Sequence, residues 1–315
     1  MRVFIAGSTG VLGRRLVSEF TERGHSVIGL TRDTTGDEIV EARGGDPRRG
    51  DLFDEDSVVR AAQGADTLIH AATAIPTDSA TPEAWELNDR VRTEGAEALT
   101  TAAVDVGADQ FLQQSIVWVA RQPDGSAYDE RSTPNPVSWT QSALDAEEIA
   151  VEAGEQHGFN VSVLRCGYFY GSDSYYTRAD GDGLIRGERP IIEDSENTPL
   201  SYLHLDDAAS AFVATAEAPQ SGLWHVVDDE PISDAEYASI LAERLDASAP
   251  EHISKEAARE AMGDITVELI TNAMPTSNDT FRTDIGWEPM YPTCREGITQ
   301  IVNSWKSEDF LPDSE

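Results

Sequence analysis

The sequence predicts an α/β protein in which a doubly wound parallel sheet is followed by a smaller C-terminal α/β lobe. Short apolar runs alternate with amphipathic stretches up to Arg165, and the connections between them are short. Glycines at positions 7, 10 and 13 separate the first apolar run from the first amphipathic stretch. Because parallel strands are buried on both faces and joined by crossover helices, this alternation predicts a sheet covered by helices on both sides.

The first thirty residues form a strand–helix–strand unit. Val3–Ala6 and Val27–Leu30 are predicted as buried strands. Between them, Leu16 and Phe20 mark an amphipathic helix that Gly24 ends. The alternation continues with a helix over 55–63 that Asp54 caps, a strand over 67–71, a helix over 83–106, a strand over 111–119, a helix over 138–155 and a strand over 161–164.

The pattern is less regular after Arg165, which indicates a second, smaller unit. A loop over 121–137 precedes the helix over 138–155. Beyond Arg165, loops are predicted over 171–182 and 193–199, a helix after Asp206, a strand over 223–227, and helices near 234–245, 254–272 and 294–305. We therefore predict a first domain over 1–166, which also receives a strand and a helix from about 200–228. The lobe over 167–315 is the predicted substrate-binding part.

The charge balance excludes nucleic acid and anionic membranes as partners. The chain has 23 basic and 58 acidic residues, a formal net charge of −35, so such surfaces would repel it. No apolar run approaches the ~20 residues of a membrane span, and the first strand at Arg2 leaves no room for a signal peptide. Cys166 and Cys294 are too few for a disulfide framework or a thiolate cluster, so we expect a reducing cytoplasm and no metal site.

The basic residues are almost all arginines. Only Lys255 and Lys306 are lysines. An acidic, lysine-poor surface repels itself in dilute buffer and is tolerable near 1 M salt, where the Debye length falls to about 3 Å. This composition favours a salt-loving source, with an acidic protein from an ordinary source as the alternative.

The glycines at the first strand–helix turn form a GxxGxxG motif. In such a turn the first glycine permits tight bending, the second lets a diphosphate approach the backbone, and the third lets helix pack on strand. The helix N-terminus then faces the phosphates. The motif predicts a dinucleotide cofactor bound by Gly7, Thr9, Gly10, Val11, Leu12 and Gly13.

The end of the second strand bears on which dinucleotide is bound. A carboxylate there would accept from the ribose 2′-hydroxyl of NAD, whereas the sequence has Thr31 followed by Arg32. An arginine suits the 2′-phosphate of NADP. The sequence therefore favours NADP, with NAD as the alternative if Arg32 is a solvated surface residue and Asp33 binds the ribose.

Short segments spread along the chain carry a family resemblance. They are GSTGVLG at 7–13, GDL at 50–52, IHAAT at 69–73, VLR at 163–165, HLDD at 204–207, VVDDEP at 226–231 and IGWEP at 285–289. Together they resemble the extended short-chain dehydrogenase/reductases of the NAD(P)-dependent epimerase/dehydratase family. The resemblance covers nearly the full chain and implies a Rossmann-type cofactor domain.

The resemblance also implies cofactor positions beyond the glycine turn. They are Asp51 and Leu52 at the adenine, Ala71, Ala72 and Thr73 on the phosphate side, and Ser115, Cys166, Gly167 and Tyr168 at the nicotinamide end. An ordinary loop acid is the alternative interpretation of Asp51.

The family's proton relay, a tyrosine with a lysine four residues later, is absent from this sequence. Neither Lys255 nor Lys306 has a tyrosine four residues before it. Segment 142–147 resembles the family's SKxxxE stretch, which puts Trp139 at the tyrosine position and Ala143 at the lysine position. Indole and methyl groups cannot relay a proton, so the family's usual acid–base chemistry is not expected here.

The remaining candidates for chemistry are a serine and several aromatic residues. Ser115 resembles the first of the family's paired Ser/Thr residues, and Ile116 stands at the usual catalytic second position. Tyr168 follows the sixth predicted strand, at the end where open parallel sheets bind ligands, and is the candidate replacement acid. An apolar substrate pocket is predicted from Trp139, Tyr175 and Tyr176.

These features favour an NADP-dependent oxidoreductase or isomerase acting on a small, rather apolar molecule. A non-catalytic dinucleotide-binding sensor or assembly protein is the first alternative, because the relay is missing. A nucleotide-sugar epimerase or dehydratase is the second. It is disfavoured because no arginine shortly precedes His204, although Arg178, Arg186 or Arg189 could compensate.

A homodimer is the predicted assembly. By the resemblance, the helices over 83–106 and 138–155 lie side by side and pair with a second copy. The apolar residues that favour such a contact are Trp85, Leu87, Val91, Leu144, Ile149 and Val151.

We expect the melting temperature to rise with potassium chloride between about 0.1 and 2 M, because salt screens the repulsion among the carboxylates. Thermal denaturation followed by circular dichroism across this range measures the effect. A melting temperature that is flat or falls would contradict the salt-loving interpretation.

Overall fold

A computed structural model describes residues 1–77 and 82–308. Its strands are β1 Arg2–Ala6, β2 Ser26–Thr31, β3 Asp46–Arg49, β4 Thr67–His70, β5 Gln110–Ile116, β6 Asn160–Cys166, β7 Tyr168–Tyr170, β8 Ile191–Ile192, β9 Pro199–Leu200, β10 Tyr202–His204, β11 Gly222–Val226, β12 Ile232–Ser233 and β13 His252–Ile253. Its α-helices are α1 Val11–Glu22, α2 Thr34–Glu41, α3 Glu55–Ala62, α4 Pro82–Val106, α5 Gln141–His157, α6 Tyr175–Arg186, α7 Leu205–Glu217, α8 Asp234–Arg244, α9 Lys255–Thr271, α10 Asp279–Ile285 and α11 Cys294–Ser307. A short 3₁₀ helix spans Val117–Ala120.

The core of the molecule is a seven-stranded parallel sheet in the order β11-β6-β5-β4-β1-β2-β3. Strand β1 pairs with β2 on one side and β4 on the other, with Ile5 opposite Gly29 and Ile69. Strands β2 and β3 lie on one side of β1, and β4, β5 and β6 lie on the other. The strand order therefore reverses at β1, and a crevice opens between the carboxyl ends of β1 and β4. The predicted doubly wound Rossmann-type sheet is confirmed.

Helices cover both faces of this sheet. On one face, Leu16 and Phe20 of α1 pack with Phe212 of α7 against the sheet. On the other, α3, α4 and α5 pack over Phe4, Leu68 and neighbouring apolar residues. Both faces of the sheet are therefore buried, which explains why the strand sequences are continuous apolar runs.

The smaller lobe has its own apolar core. Three two-stranded sheets, β7 with β10, β8 with β13 and β9 with β12, join α6, α8, α9 and α11. The rings of Tyr202 and Tyr237 stack there at 5.0 Å, and Trp305 is fully buried. The division of the chain at residue 166 stays a prediction. No helix within the described ranges is long and apolar enough to cross a membrane.

Three local predictions are corrected by the structure. Residues 171–182, predicted as a loop, contain the first two turns of α6, whose Gly181 packs against Trp305 and Gly183 against Arg189. The two glycines obscured the helical pattern, although close packing requires them. Strand β5 ends at Ile116 rather than at 119, and helices α2 and α10 were not anticipated.

A buried carboxyl group lies where β11 meets the small lobe. Asp228 accepts hydrogen bonds from the Tyr170 hydroxyl at 2.8 Å and the His204 backbone N–H at 3.3 Å. Burial raises the pKa of this carboxyl to about 8, and the nearby Asp207 carboxylate adds to the rise. Between about pH 4 and pH 8, Asp228 is therefore protonated in the folded protein, whereas in the unfolded chain, with its ordinary pKa of 3.8, it is ionised.

We expect this proton to make the folded state lose stability as the pH rises from about 4 to about 8, since the folded state binds more protons than the unfolded state across that window. Replacing Asp228 by asparagine should flatten this part of the profile. Urea unfolding in 2 M potassium chloride at pH 5 and pH 8 measures the difference, with Asp264→Asn, an exposed carboxylate, as the control. An equal pH dependence in Asp228→Asn and the unmutated protein would contradict the assignment.

Candidate active site

A cavity of about 600 Å³ lies at the carboxyl edge of the sheet. Its walls come from the residues that follow β1, β2, β3, β4 and β6, from the end of β5 and from helices α4, α6 and α9. Open parallel sheets bind ligands at this edge, at the point where the strand order reverses. The cavity extends from the glycine turn to a group of aromatic side chains.

The glycine turn after β1 closes against the backbone that follows β4. Gly7 has a φ of 89°, and a Cβ there would lie 2.6 Å from the backbone of Ala71. The Gly10 N–H donates to the Gly7 carbonyl at 2.9 Å. A Cβ on Gly13 would lie 2.0 Å from that same carbonyl oxygen, so close backbone approach requires glycine at positions 7 and 13.

The N-terminus of α1 opens onto the cavity. Val11 and Leu12 line it, and no side chain caps the helix at Gly10. The first N–H groups of a helix have no acceptor within the helix, and the first turn of α1 carries no acidic residue. These free donors and the positive end of the helix dipole fit the diphosphate of a dinucleotide.

Arg32 and Asp33 have different surroundings after β2. Arg32 is exposed and lines the cavity. The Asp33 carboxylate accepts from the Gly36 N–H at 2.8 Å and caps α2. Thr31 donates to Asp37 at 2.6 Å, which turns its hydroxyl to the same helix. The side chain that remains available to a ribose substituent is therefore the cation.

The predicted adenine and phosphate positions also reach the cavity. Asp51, Leu52, Ala71, Ala72 and Thr73 all line it. The Asp51 carboxylate accepts from the backbone N–H of Phe53 at 3.0 Å, so it shapes its own loop as well.

Aromatic side chains form the opposite end of the cavity. The Trp139 ring lies 6.0 Å from Trp85 and 5.9 Å from Trp118, and Trp118 lies 5.7 Å from Tyr168. All four line the cavity. The buried indole N–H groups of the three tryptophans have no hydrogen-bond partner in the described structure. This end therefore offers flat apolar surface with few engaged polar groups.

Tyr168 presents a neutral phenol to this end of the cavity. Burial raises the pKa of Tyr168 above its ordinary value, and the Asp180 and Asp234 carboxylates raise it further. The phenol is thus protonated at neutral pH and suited to donate a hydrogen bond. Tyr175 is exposed at the cavity mouth, whereas the Tyr176 hydroxyl already donates to the Pro76 carbonyl at 2.7 Å.

The structure does not bring Ser115 to the cavity. Its hydroxyl donates to the buried Glu147 carboxylate, which also receives two hydrogen bonds from Arg165, the shorter at 2.6 Å. Successive side chains of a strand point to opposite faces, so Ser115 faces α5 while Gln114 and Ile116 line the cavity. The contacts of Ser115 are structural.

Two other predicted cofactor residues lie behind the cavity wall. The Cys166 thiol is buried and near the Leu164 carbonyl, and burial raises its pKa. Gly13 packs on the glycine turn rather than lining the cavity. By contrast, Gly167 and Tyr168, which were also predicted as cofactor positions, line the cavity.

The positions that resemble the family's relay are packed with apolar groups. Ile116, Val119 and Ala143 form a small buried cluster with Trp118 against it. Ala143 is only 2% exposed, so a lysine there would need space and a counter-ion that this cluster does not supply.

Several cavity residues were missed by sequence reasoning. Trp118 follows β5, and its place at a strand's carboxyl end was a usable signal. Arg92 and Val91 come from the middle of α4, and Ile265 and Leu269 from the distant α9. Nothing in the local pattern of these four residues marks them, because folding alone brings them to the cavity.

The arginines considered for a nucleotide-sugar diphosphate lie elsewhere. Arg178 binds Glu308, Arg186 binds Glu188, and Arg189 binds Asp180 and Asp234. Arg32 and Arg92 are the cations that line the cavity within the described ranges. Among those same residues, no cluster of three or more His, Cys, Asp or Glu side chains could hold a metal ion.

Fold and cavity together define a dinucleotide-binding α/β protein of the Rossmann class. The model of the NAD dependent epimerase/dehydratase family matches residues 3–226. The chain therefore belongs to this family, as the sequence resemblance indicated.

Two curated relatives are reductases. The chain is 33% identical over 314 residues to a 3-diazoavenalumate denitrifying reductase from Streptomyces sp, with 95% of this chain and 99% of the relative covered. It is 26% identical over 248 residues to a 4-hydroxy-2-methyl-3-oxo-4-farnesyl-3,4-dihydroquinoline-1-oxide ketoreductase from Stigmatella aurantiaca, with 77% and 73% covered.

A solved structure shows the same fold at low sequence identity. A double mutant of a dTDP-glucose 4,6-dehydratase from Streptomyces venezuelae, with NAD bound, superposes with a TM-score of 0.82 at 17% identity. The superposition covers 98% of each chain.

We expect Arg32→Ala to remove most of a preference for NADPH over NADH, about tenfold or more in affinity, because a charge-assisted contact to the 2′-phosphate is lost. Fluorescence titration with both nucleotides measures this. Arg43→Ala, which removes a guanidinium bound to the Ile39 carbonyl, is the control. Equal affinities of the unmutated protein for both nucleotides would contradict the assignment.

Proposed function

We propose that the protein is an NADP-dependent oxidoreductase that reduces a small, rather apolar molecule without a tyrosine–lysine relay. The observation that carries this proposal is the single cavity that joins the glycine turn at Gly7 to the ring of Tyr168. A cofactor held by its diphosphate at α1 and by a 2′-phosphate at Arg32 would extend along this cavity toward the aromatic end.

The chain's own residues would bind and orient the substrate. When bound, NADPH supplies a hydride, so the protein has to place an acceptor carbon next to it and a proton donor beside the developing oxyanion. Trp118 and Trp139 offer flat walls for an apolar acceptor. Tyr168 is the donor in this proposal, because its phenol is protonated and lines the same end of the cavity.

The proposed donor is weaker than the usual relay. No cation lowers the pKa of Tyr168 below its ordinary value, and its environment raises it. The phenol therefore serves as a hydrogen-bond donor and a poor base, and turnover should be slower than with a relay by part of the ~10²–10⁴-fold that acid–base catalysis contributes. An isomerase, which needs a base as well as an acid, is less well served by this site.

The reductase relatives support this direction of chemistry. Two of them carry reductase names, and one name describes a ketone on a farnesylated ring system. The cavity's apolar end suits such a substrate better than a sugar nucleotide, because the lobe arginines are paired elsewhere.

The homodimer and the salt-rich cytoplasmic setting remain part of the proposal. Helices α4 and α5 pack side by side, and Val151 and Leu87 are exposed on them, although Leu87 also lines the cavity. Trp85 and Val91, by contrast, are buried and line the cavity, so they cannot serve a contact between copies.

We expect Tyr168→Phe to lower NADPH-dependent reduction by up to about 10²-fold, because a weak donor supplies only part of the ~10²–10⁴-fold acid–base contribution, while leaving NADPH binding unchanged. Oxidation of NADPH against a panel of ketones, aldehydes and enones measures turnover, and fluorescence titration measures binding. Tyr175→Phe and Tyr176→Phe test the other nearby phenols, and Trp139→Phe tests the indole in the pocket wall.

Two outcomes would redirect the proposal. Loss of turnover in Trp139→Phe alone, with all tyrosine variants active, would mean that the donor is wrongly assigned. NADPH binding without reduction of any compound in the panel would favour the non-catalytic sensor.

A further inference from the structure

A buried arginine reaches the cavity from the middle of α4. Arg92 is only 6% exposed and lines the cavity wall. It lies two helical turns after Trp85, on the same face of the helix. Its Nη1 is 3.4 Å from the Ser142 hydroxyl on α5, three residues after Trp139. Arg92 therefore lines the same cavity as Trp85 and Trp139.

The carboxylates around Arg92 are engaged with other groups. Asp89 accepts from the Ser142 hydroxyl at 2.6 Å, and Glu147 is bound twice by Arg165. No carboxylate of the described residues lies within ion-pair distance of Arg92. Burial lowers the pKa of Arg92 to about 10, with Asp89 and Glu147 opposing the shift only in part, so the group is still charged at neutral pH.

Other buried arginines in this protein show what such a group requires. Arg165 is paired with Glu147, and Arg189 with both Asp180 and Asp234. A buried charge without a counter-ion is costly, and an anion placed against it recovers part of that cost. Arg92 differs from both because it faces the cavity instead of a carboxylate. The missing counter-ion is therefore expected to be a ligand.

We propose that Arg92 binds the carboxylate of an aromatic carboxylic acid, which is the substrate class of the site. A carboxylate matches the planar fork of one guanidinium in charge and geometry. The other cation that lines the cavity in the described ranges, Arg32, lies after β2, near the glycine turn, so a single guanidinium is available to an anion at Arg92. Trp85 and Trp139, which line the same cavity as Arg92, supply the surface for the aromatic ring. This assignment rests on the proposed reductase function.

Binding of a matched pair of probes tests the carboxylate directly. Isothermal titration calorimetry with saturating NADP⁺ compares trans-cinnamate with trans-cinnamamide, which has nearly the same shape and no charge. We expect cinnamate to bind at least tenfold more tightly in the unmutated protein. This comparison needs no variant, so it stands even if a substitution prevents folding.

Variants then assign the selectivity to Arg92. Arg92→Gln should weaken cinnamate about 10–100-fold and change cinnamamide less than about threefold, as expected when a charge-assisted bond is removed. Arg92→Lys keeps the charge but not the fork and should give an intermediate affinity. Arg186→Gln, which removes an exposed arginine on α6, should change neither.

Three results would overturn the proposal. Equal binding of cinnamate and cinnamamide, or no binding of either at millimolar concentration, would exclude a carboxylate site for aromatic acids. Weaker NADP⁺ binding in Arg92→Gln with unchanged cinnamate affinity would assign Arg92 to the cofactor. Failure of NADP⁺ itself to bind the unmutated protein would instead contradict the proposed function, so the two failures are distinguishable.

Discussion

The close approach of the glycine turn to the backbone after β4 is the constraint on which the rest of the site depends. A Cβ on Gly7 would lie 2.6 Å from the backbone of Ala71, so the turn can close only with glycine. Because Gly13 then packs on the Gly7 carbonyl, α1 starts at Val11 and directs its free N–H groups into the crevice between β1 and β4. The position of the cavity follows from this contact and from the strand order, and both are features of the sheet.

The positions that resemble the family's relay are packed together in this structure. Ile116 and Ala143, at the positions that resemble the family's serine and lysine, belong to the same small apolar cluster. The Trp139 ring, at the position that resembles the tyrosine, fills space between Trp85 and Trp118. Restoring one polar group would therefore bury it without partners, which costs free energy of the order of 1–3 kcal/mol for each unsatisfied group. In the proposed function the donor is instead Tyr168, which lines the same end of the cavity.

The parts of the fold that depend on local patterns could be predicted from the sequence. The glycine turn and most strands of the sheet follow from short apolar runs and fixed spacing. Helix α6 could not, because the glycines at 181 and 183, required by contacts with Trp305 and Arg189, look like loop residues in the sequence. The orientation of Ser115 on β5 could not be predicted either. Side chains alternate between the two faces of a strand, and the hydrogen bond of Ser115 to the buried Glu147 of α5 shows that it lies on the face away from the cavity.

Charge in this protein is divided between an acidic surface and buried arginines. Arg189 joins α6 to α8 through Asp180 and Asp234, and Arg165 joins β6 to α5 through Glu147. Salt screens repulsion at the surface far more than it weakens these buried pairs, so a concentrated salt solution can stabilise the fold without dissolving its internal contacts. Arg92 also differs from the surface cations in how strongly salt screens its charge. Its charge is shielded from bulk ions by α4 and α5, so an anion that enters the cavity meets an attraction that salt reduces only weakly.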